Sequence, residues 1–249
     1  MTDAIRFEMK GDIAELCLCA PERRNAIGSH EIDRVKAAIK SIPDSCRLFI
    51  IRSEGPVFCA GANLKEITDG TMDGDDFQSM TNAIASLPMP SLAIVEGDVF
   101  GGGAELLFSC DFRLGVTGKH LKIPAAAVGL CYPVEGIKRM TQRLGSTMVR
   151  KLLLTTQAVN FEELAQQNAF DWLVEPSEME AHSQALIASL TGLAPLSMVS
   201  MLAIIKSVEE DRFDRDAAQE LADACSKSED LSEGLLAMRE KRAPLFKRH

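Results

Sequence analysis

Three consecutive glycines, Gly101-Gly102-Gly103, follow a short apolar run at 91–95 and open a stretch of helical character. Glycine loses more backbone freedom on folding than any other residue, so three at a helix start are costly. The cost makes sense where backbone must approach a ligand closely and the free N–H groups of a first helical turn must face an anion. A second turn, Ala60-Gly61-Ala62-Asn63, also follows a strand-like segment. Two turns that each offer a backbone N–H can build an oxyanion hole for a developing enolate or tetrahedral oxygen. For one turn alone, tight helix–strand packing explains the glycines equally well. Neither turn is a nucleotide loop, because the GxGxxG spacing is not met and no Gly-Lys-Ser/Thr follows.

Short apolar segments at 5–9, 13–18, 47–52, 91–96 and 112–116 read as strands. Helical periodicity separates them at 25–42, with Ser29 as N-cap, and at 77–87, ahead of which the acidic stretch 68–76 reads as a loop. Strands alternating with helices imply crossover units and a mostly parallel sheet, an α/β class. Past about residue 145 the pattern turns helical, at 147–155, 161–168, 177–190, 196–208, 214–225 and 231–242, with one strand at 171–174. Asn160 and Glu163 form a capping box. A core domain over 1–190 and a helical region over 191–249 follow from this division.

A net charge of −9 argues against nucleic acid and anionic membranes, which select basic surfaces. It leaves room for one phosphorylated ligand at a local basic cluster. Seven cysteines without a CxxC pair read as reduced, buried thiols of a cytoplasmic chain. His30 and His120 lack partners at metal-ligand spacing, so no metal is expected. No GxSxG elbow supports a hydrolase triad.

Together the two turns resemble a known family. Residues 59–66, Cys-Ala-Gly-Ala-Asn-Leu-Lys-Glu, resemble the AGADLKE signature of the enoyl-CoA hydratase/isomerase (crotonase) superfamily. Residues 95–106 resemble its xGxAxGGGxEL signature, and Ser109-Cys110-Asp111-Phe112-Arg113 continues it. The likeness extends to Arg24-Asn25-Ala26, to 124–145 and to the C-terminal stretch Glu240-Lys241-Arg242-Ala243-Pro244-Leu245-Phe246. The resemblance implies a crotonase (ClpP-like) fold of repeated ββα units with a helical C-terminal trimerisation region. It implies an acyl-CoA substrate, no further cofactor, and a homotrimer or dimer of trimers. Ala62 and Gly102 would supply the N–H groups that hold the thioester oxygen, and Glu105 matches the first catalytic glutamate. Arg24, Ala26, Ala60, Lys65 and Gly101 fall on positions that contact substrate or CoA, and Lys241 and Phe246 on positions that reach the CoA of a neighbouring subunit.

One departure matters most. The family's second glutamate falls on Ala125, in Pro124-Ala125-Ala126. A missing general acid–base group costs about 10²–10⁴ in rate, which disfavours hydration and favours one-carboxylate chemistry such as enoyl-CoA isomerisation. Tyr132, the only tyrosine, lies where a methylmalonyl-CoA decarboxylase branch also carries one, although that branch has a His where this chain has Ala62. Glu135 stands at a helix opening and is a second replacement acid. Decarboxylation of a malonyl-type thioester, true hydration and a catalytically silent acyl-CoA-binding protein are the alternatives. Packed, neutral thiols are expected at Cys59 and Cys131.

Overall fold

The computed structural model describes residues 3–247. Chain contacts divide it into two compact units: the first runs to Leu87 and over Ser91–Ser183, the second takes Pro88–Pro90 and the chain from Gln184.

In the first unit the elements run β1 (Ile5–Lys10), β2 (Ile13–Leu18), α1 (Ser29–Lys40), β3 (Leu48–Ser53), β4 (Val57–Cys59), α2 (Leu64–Thr68), α3 (Gly74–Ala85) and β5 (Ser91–Val95). They continue as β6 (Asp98–Phe100), α4 (Gly102–Ser109), β7 (Phe112–Val116), β8 (His120–Lys122), α5 (Val134–Leu154), β9 (Val159–Asn160), α6 (Phe161–Ala165) and β10 (Trp172–Val174). Six strands form one sheet in the order β1-β2-β3-β5-β7-β10. The β1–β2 hairpin is antiparallel and every other pairing in that sheet is parallel. Its inner strands are apolar on both faces, as in β5, where all five residues are buried. Such runs are the signature of a parallel sheet covered on both sides.

A second sheet, in the order β4-β6-β8-β9, was not legible in the sequence, since its strands have only two or three residues. This small sheet positions the site. α7 (Met179–Thr191) leads out of the first unit, and α8 (Pro195–Glu209), α9 (Arg215–Ser226) and α10 (Glu229–Glu240) make up the second. Among the described residues no single helix is long and apolar enough to cross a membrane.

Several local expectations change. The cap of α1 is Gly28, whose N–H donates to the Glu31 carboxylate at 2.8 Å, and Ser29 instead donates to Glu66. The acidic stretch expected as a loop starts α3: Asp73 caps it by accepting from the N–H groups of Asp75 and Asp76. Carboxylates suit that helix end because they offset its unpaired donors. α5 is continuous from Val134 to Leu154 except for a break at Gly145 (φ +71°, ψ 157°). At α6 Asn160 caps as expected, but the Glu163 carboxylate reaches Lys151 rather than closing the box.

Candidate active site

β4 and β6 lie side by side in parallel, with Val57 paired to Asp98 and Cys59 to Val99. Both strands therefore deliver their following turns to the same end of the small sheet. There Gly61 adopts φ +87° and Gly101 φ +51°, left-handed conformations that favour glycine. A Cβ on Gly61 would run into the Gly102 nitrogen, and one on Gly102 would lie 3.4 Å from the Ala62 nitrogen. The neighbours of Ala62 take up the pairing with Ile27: the Ile27 N–H donates to Gly61 O and the Asn63 N–H to Ile27 O. The Ala62 N–H has no acceptor among the described residues. Gly102 is the first residue of α4, where no carbonyl lies one turn back. Two adjacent, uncommitted donors can hold an oxygen that gains charge during a reaction.

Glu105 sits on the first turns of α4 with its side chain fully enclosed. The Thr81 hydroxyl, from α3, donates to its Oε1 at 2.7 Å, and Arg139 Nη1, from α5, lies 3.9 Å from the same oxygen. Glu105 Oε2 and Arg139 Nη1 have no hydrogen-bond partner. The wall behind the carboxyl is Gly136, where a Cβ would stand 3.0 Å from Glu105 Cδ. Burial pushes the Glu105 carboxyl above the usual carboxylate range, and Thr81 and Arg139 only partly offset it. A carboxyl of raised pKa is suited to taking and returning a proton near neutral pH.

The other candidates are placed as follows. Tyr132 is buried and its hydroxyl donates to the Gly101 carbonyl at 3.1 Å, so it braces the glycine turn. Glu135 is half-exposed: its carboxylate lies 3.9 Å from Lys138 Nζ, and its N–H donates to Gln78 Oε1 at 3.2 Å. Ala125 is buried in a short 3-10 turn and brings only a methyl group. Arg24 stacks its guanidinium 4.6 Å from the centroid of the Phe100 ring. The Ala60 N–H donates to Arg24 O and the Ala26 N–H to Arg23 O, which ties the segment after β2 to the first turn. Lys65 is exposed on α2. In the second unit Lys241 takes a left-handed conformation (φ +55°) at the end of α10, and Phe246 packs against Gly234. Cys59 is buried as expected and its thiol is pushed up to about 12, whereas Cys131 is exposed, contrary to expectation.

Sequence reasoning missed Thr81, Asn82 and Arg139, which complete the surroundings of Glu105; Asn82 Oδ1 accepts from Arg139 Nη2 at 2.8 Å. The one available signal was that 77, 78, 81 and 82 share a helical face. Asn25 was noted only within a resembling tripeptide. Buried at φ +54°, it accepts from the Ala20 N–H and donates to the carbonyls of Glu54 and Val57, so it pins the chain beneath the first turn.

Comparison with known proteins agrees with this geometry. The family model described as enoyl-CoA hydratase/isomerase matches residues 8–249. The chain is 28% identical to a carnitinyl-CoA dehydratase of Proteus mirabilis, over 99% of each chain. It is 29% identical to a mitochondrial methylglutaconyl-CoA hydratase of Mus musculus, over 90% of this chain and 76% of that one. A solved enoyl-CoA hydratase/carnithine racemase structure from Magnetospirillum magneticum superposes with TM-score 0.92 at 23% identity, covering 100% of this chain and 97% of the other. The paired glycine turns, the enclosed glutamate on the helix after the second and this family match over nearly the whole length make the chain an acyl-CoA enzyme of the enoyl-CoA hydratase/isomerase family, with the crotonase fold.

Proposed function

We propose that the chain isomerises the double bond of an enoyl-CoA thioester, with Glu105 as its single proton carrier. The observation that carries this reading is Glu105 itself, one enclosed carboxyl with a raised pKa, taken with the resemblance that puts the buried Ala125, a methyl group, where the family has its second acid. In this mechanism the N–H groups of Ala62 and Gly102 form the oxyanion hole for the thioester oxygen. Glu105 takes a proton from the α-carbon, the charge delocalises as a dienolate onto that oxygen, and the same carboxyl returns the proton at the γ-carbon. No water is consumed, so no second group is needed to activate one. Glu135 is half-exposed beside Lys138 and lies close enough to help raise the Glu105 carboxyl, but this mechanism gives it no proton to move.

Decarboxylation with Tyr132 as the carboxylate-orienting group is less well supported, because its hydroxyl proton is already engaged by Gly101 O. For the CoA moiety we assign Arg24 and Lys65 near the first turn, and we assign Lys241 and Phe246 to the CoA of a neighbouring subunit in the assembly. A homotrimer or dimer of trimers is proposed on the exposed apolar face of α8, where Met201, Ile205 and Val208 recur at helical spacing. Light scattering in solution tests the assembly.

The reaction is tested by incubating the protein with 3-hexenoyl-CoA, crotonyl-CoA and methylmalonyl-CoA in turn. Conversion of 3-hexenoyl-CoA to its 2-enoyl isomer, lost in Glu105→Gln, is the expected result. Rapid hydration of crotonyl-CoA would overturn the one-carboxylate reading. No turnover of any thioester, with a raised melting temperature in their presence, would make the chain a binding protein.

A further inference from the structure

Outside the active site, strand pairing gathers a second group of reactive side chains. On β2 the strand period of two sends Cys17 and, just past its end, Cys19 to the same side. β2 and β3 run parallel with Leu18 opposite Ser53, and the Glu54 N–H extends the ladder by donating to Leu18 O at 2.9 Å. That register sets Glu54 beside Cys19. The two sulfurs and a Glu54 oxygen all lie within 4.8 Å of one another. Cys19 and Glu54 also face an open cavity of about 560 Å³, shared with Asp3, Arg6 and Glu22.

We propose that Cys17, Cys19 and Glu54 form a binding site for a thiophilic divalent cation of the Zn²⁺ type. Two thiolates and one carboxylate are the donor set of a three-ligand zinc site, with the fourth position open to the cavity. Thiolate sulfur selects such cations over Mg²⁺ and Ca²⁺, which require oxygen. The charge also closes. Both thiolates and Glu54 contribute −3, and the Arg6 guanidinium, 3.0 Å from Glu54 Oε1, contributes +1. A dication neutralises the remaining −2. Cys17 lies on β2, and Cys19 and Glu54 stand one residue past the ends of β2 and β3, where their N–H groups continue the ladder by donating to Ala4 O and Leu18 O.

Free thiols are largely protonated at neutral pH. Binding therefore exchanges one cation for two protons: M²⁺ + 2 R–SH → M(S–R)₂ + 2 H⁺. Affinity then rises with pH, by up to about a hundredfold per unit while both thiols remain protonated. This chemistry is independent of the acyl-CoA reaction.

The test is titration of the reduced, chelator-treated full-length protein with Co²⁺, followed by Zn²⁺. Expected are one equivalent per chain, a thiolate-to-cobalt charge-transfer band that Zn²⁺ abolishes, and release of two protons measured in weak buffer. The band should vanish in Cys17→Ser and in Cys19→Ser, weaken about tenfold in affinity in Glu54→Gln, and persist in Cys131→Ser. In the unmodified protein Zn²⁺ should slow alkylation of Cys19, read by mass spectrometry, a measurement that needs no variant to fold. Absence of a bound equivalent, a band that survives the Cys17→Ser/Cys19→Ser double variant, or unchanged alkylation of Cys19 would overturn the proposal.

Discussion

Two neighbouring glycines in the same helix start should fail in opposite ways when each gains one methyl group. A Cβ on Gly102 would lie 2.9 Å from Phe77 Cζ and 3.0 Å from Phe77 Cε1, the far end of a side chain that can swing away. It would also lie 3.4 Å from the Ala62 nitrogen, in the space between the two proposed oxygen-holding donors. Gly102 is not in the left-handed region, and alanine in a helix is favoured over glycine by up to about 1 kcal/mol. Gly102→Ala should therefore keep its fold, with Tm within about 3 °C of the parent, since 1 kcal/mol is worth about 2–4 °C in a chain of this size. Alanine keeps the backbone N–H, but its methyl group crowds the oxygen away from the donors, so turnover should fall by about 10²–10³-fold, the loss typical of an oxyanion hole that lacks one effective donor. At Gly103 a Cβ would collide with the Cys59 carbonyl and stand 3.0 Å from the Cys59 side chain. Strand backbone cannot swing away, so overpacking of about 1–3 kcal/mol or more lowers Tm by several degrees. The assay is 3-hexenoyl-CoA turnover beside a thermal melt for both variants. Full activity in Gly102→Ala, or a stable Gly103→Ala, would refute the placement of the two turns.

Glu105→Gln should reduce turnover about 10²–10⁴-fold while leaving the protein folded, checked by single-turnover kinetics and circular dichroism. Because burial raises the Glu105 carboxyl and the reaction needs its ionised form, activity should rise with pH along a limb above the ordinary carboxylate range. Arg139 favours the ionised form, so Arg139→Met should move that limb to higher pH; a limb that stays put or falls would show that Arg139 does not act on Glu105. Ala125→Glu should gain measurable crotonyl-CoA hydration, and a variant as inert as the parent would mean that the missing acid is not the deciding feature. Asn25→Ala removes three hydrogen bonds, two of them buried, and should cost about 2–4 kcal/mol, read from urea unfolding, with activity falling through loss of the folded population.

What the sequence disclosed was whatever a single residue type makes obligatory. Gly61 and Gly101 are legible because their positive φ values admit little else, and the triple glycine marked the helix that carries Glu105. The buried strands β3 and β5 are legible because a parallel sheet covered on both faces needs unbroken apolar runs. The sheet of β4, β6, β8 and β9 has too few residues for any period to register, yet its β4–β6 pairing is what brings the two turns together. Thr81 and Arg139 lie 24 residues before and 34 residues after Glu105 in the chain and meet it only through packing of α3 and α5 on α4. Nothing local in either helix announces that meeting.

The enclosure of the site has a consequence for how it must work. The Glu105 side chain has no exposed surface, Phe77 covers Gly102, and Tyr132 closes on Gly101. Ala62 and Gly102 are partly exposed, so a thioester oxygen has a path to the two proposed donors, but the reacting carbons have none to the enclosed Glu105 carboxyl until something parts. Three of the contacts that close the site, those of Phe77, Gln78 and Thr81, come from one side of α3. α4 is buried from Gly103 to Ser109, and Gly102 abuts the turn after β4, so α4 cannot yield without breaking the core. α3 has an exposed first turn, but Phe77, Met80, Thr81 and Ile84 are buried, so the helix as a whole is also part of the core. The cheapest opening is therefore a swing of the α3 side chains that close the site, with the glycine turns and Glu105 fixed. That division keeps the oxygen-holding geometry rigid while substrate enters, which is what preorganised donors require. It also links the raised pKa of Glu105 to substrate entry, because the burial that raises the carboxyl is what must be relieved to admit the acyl chain.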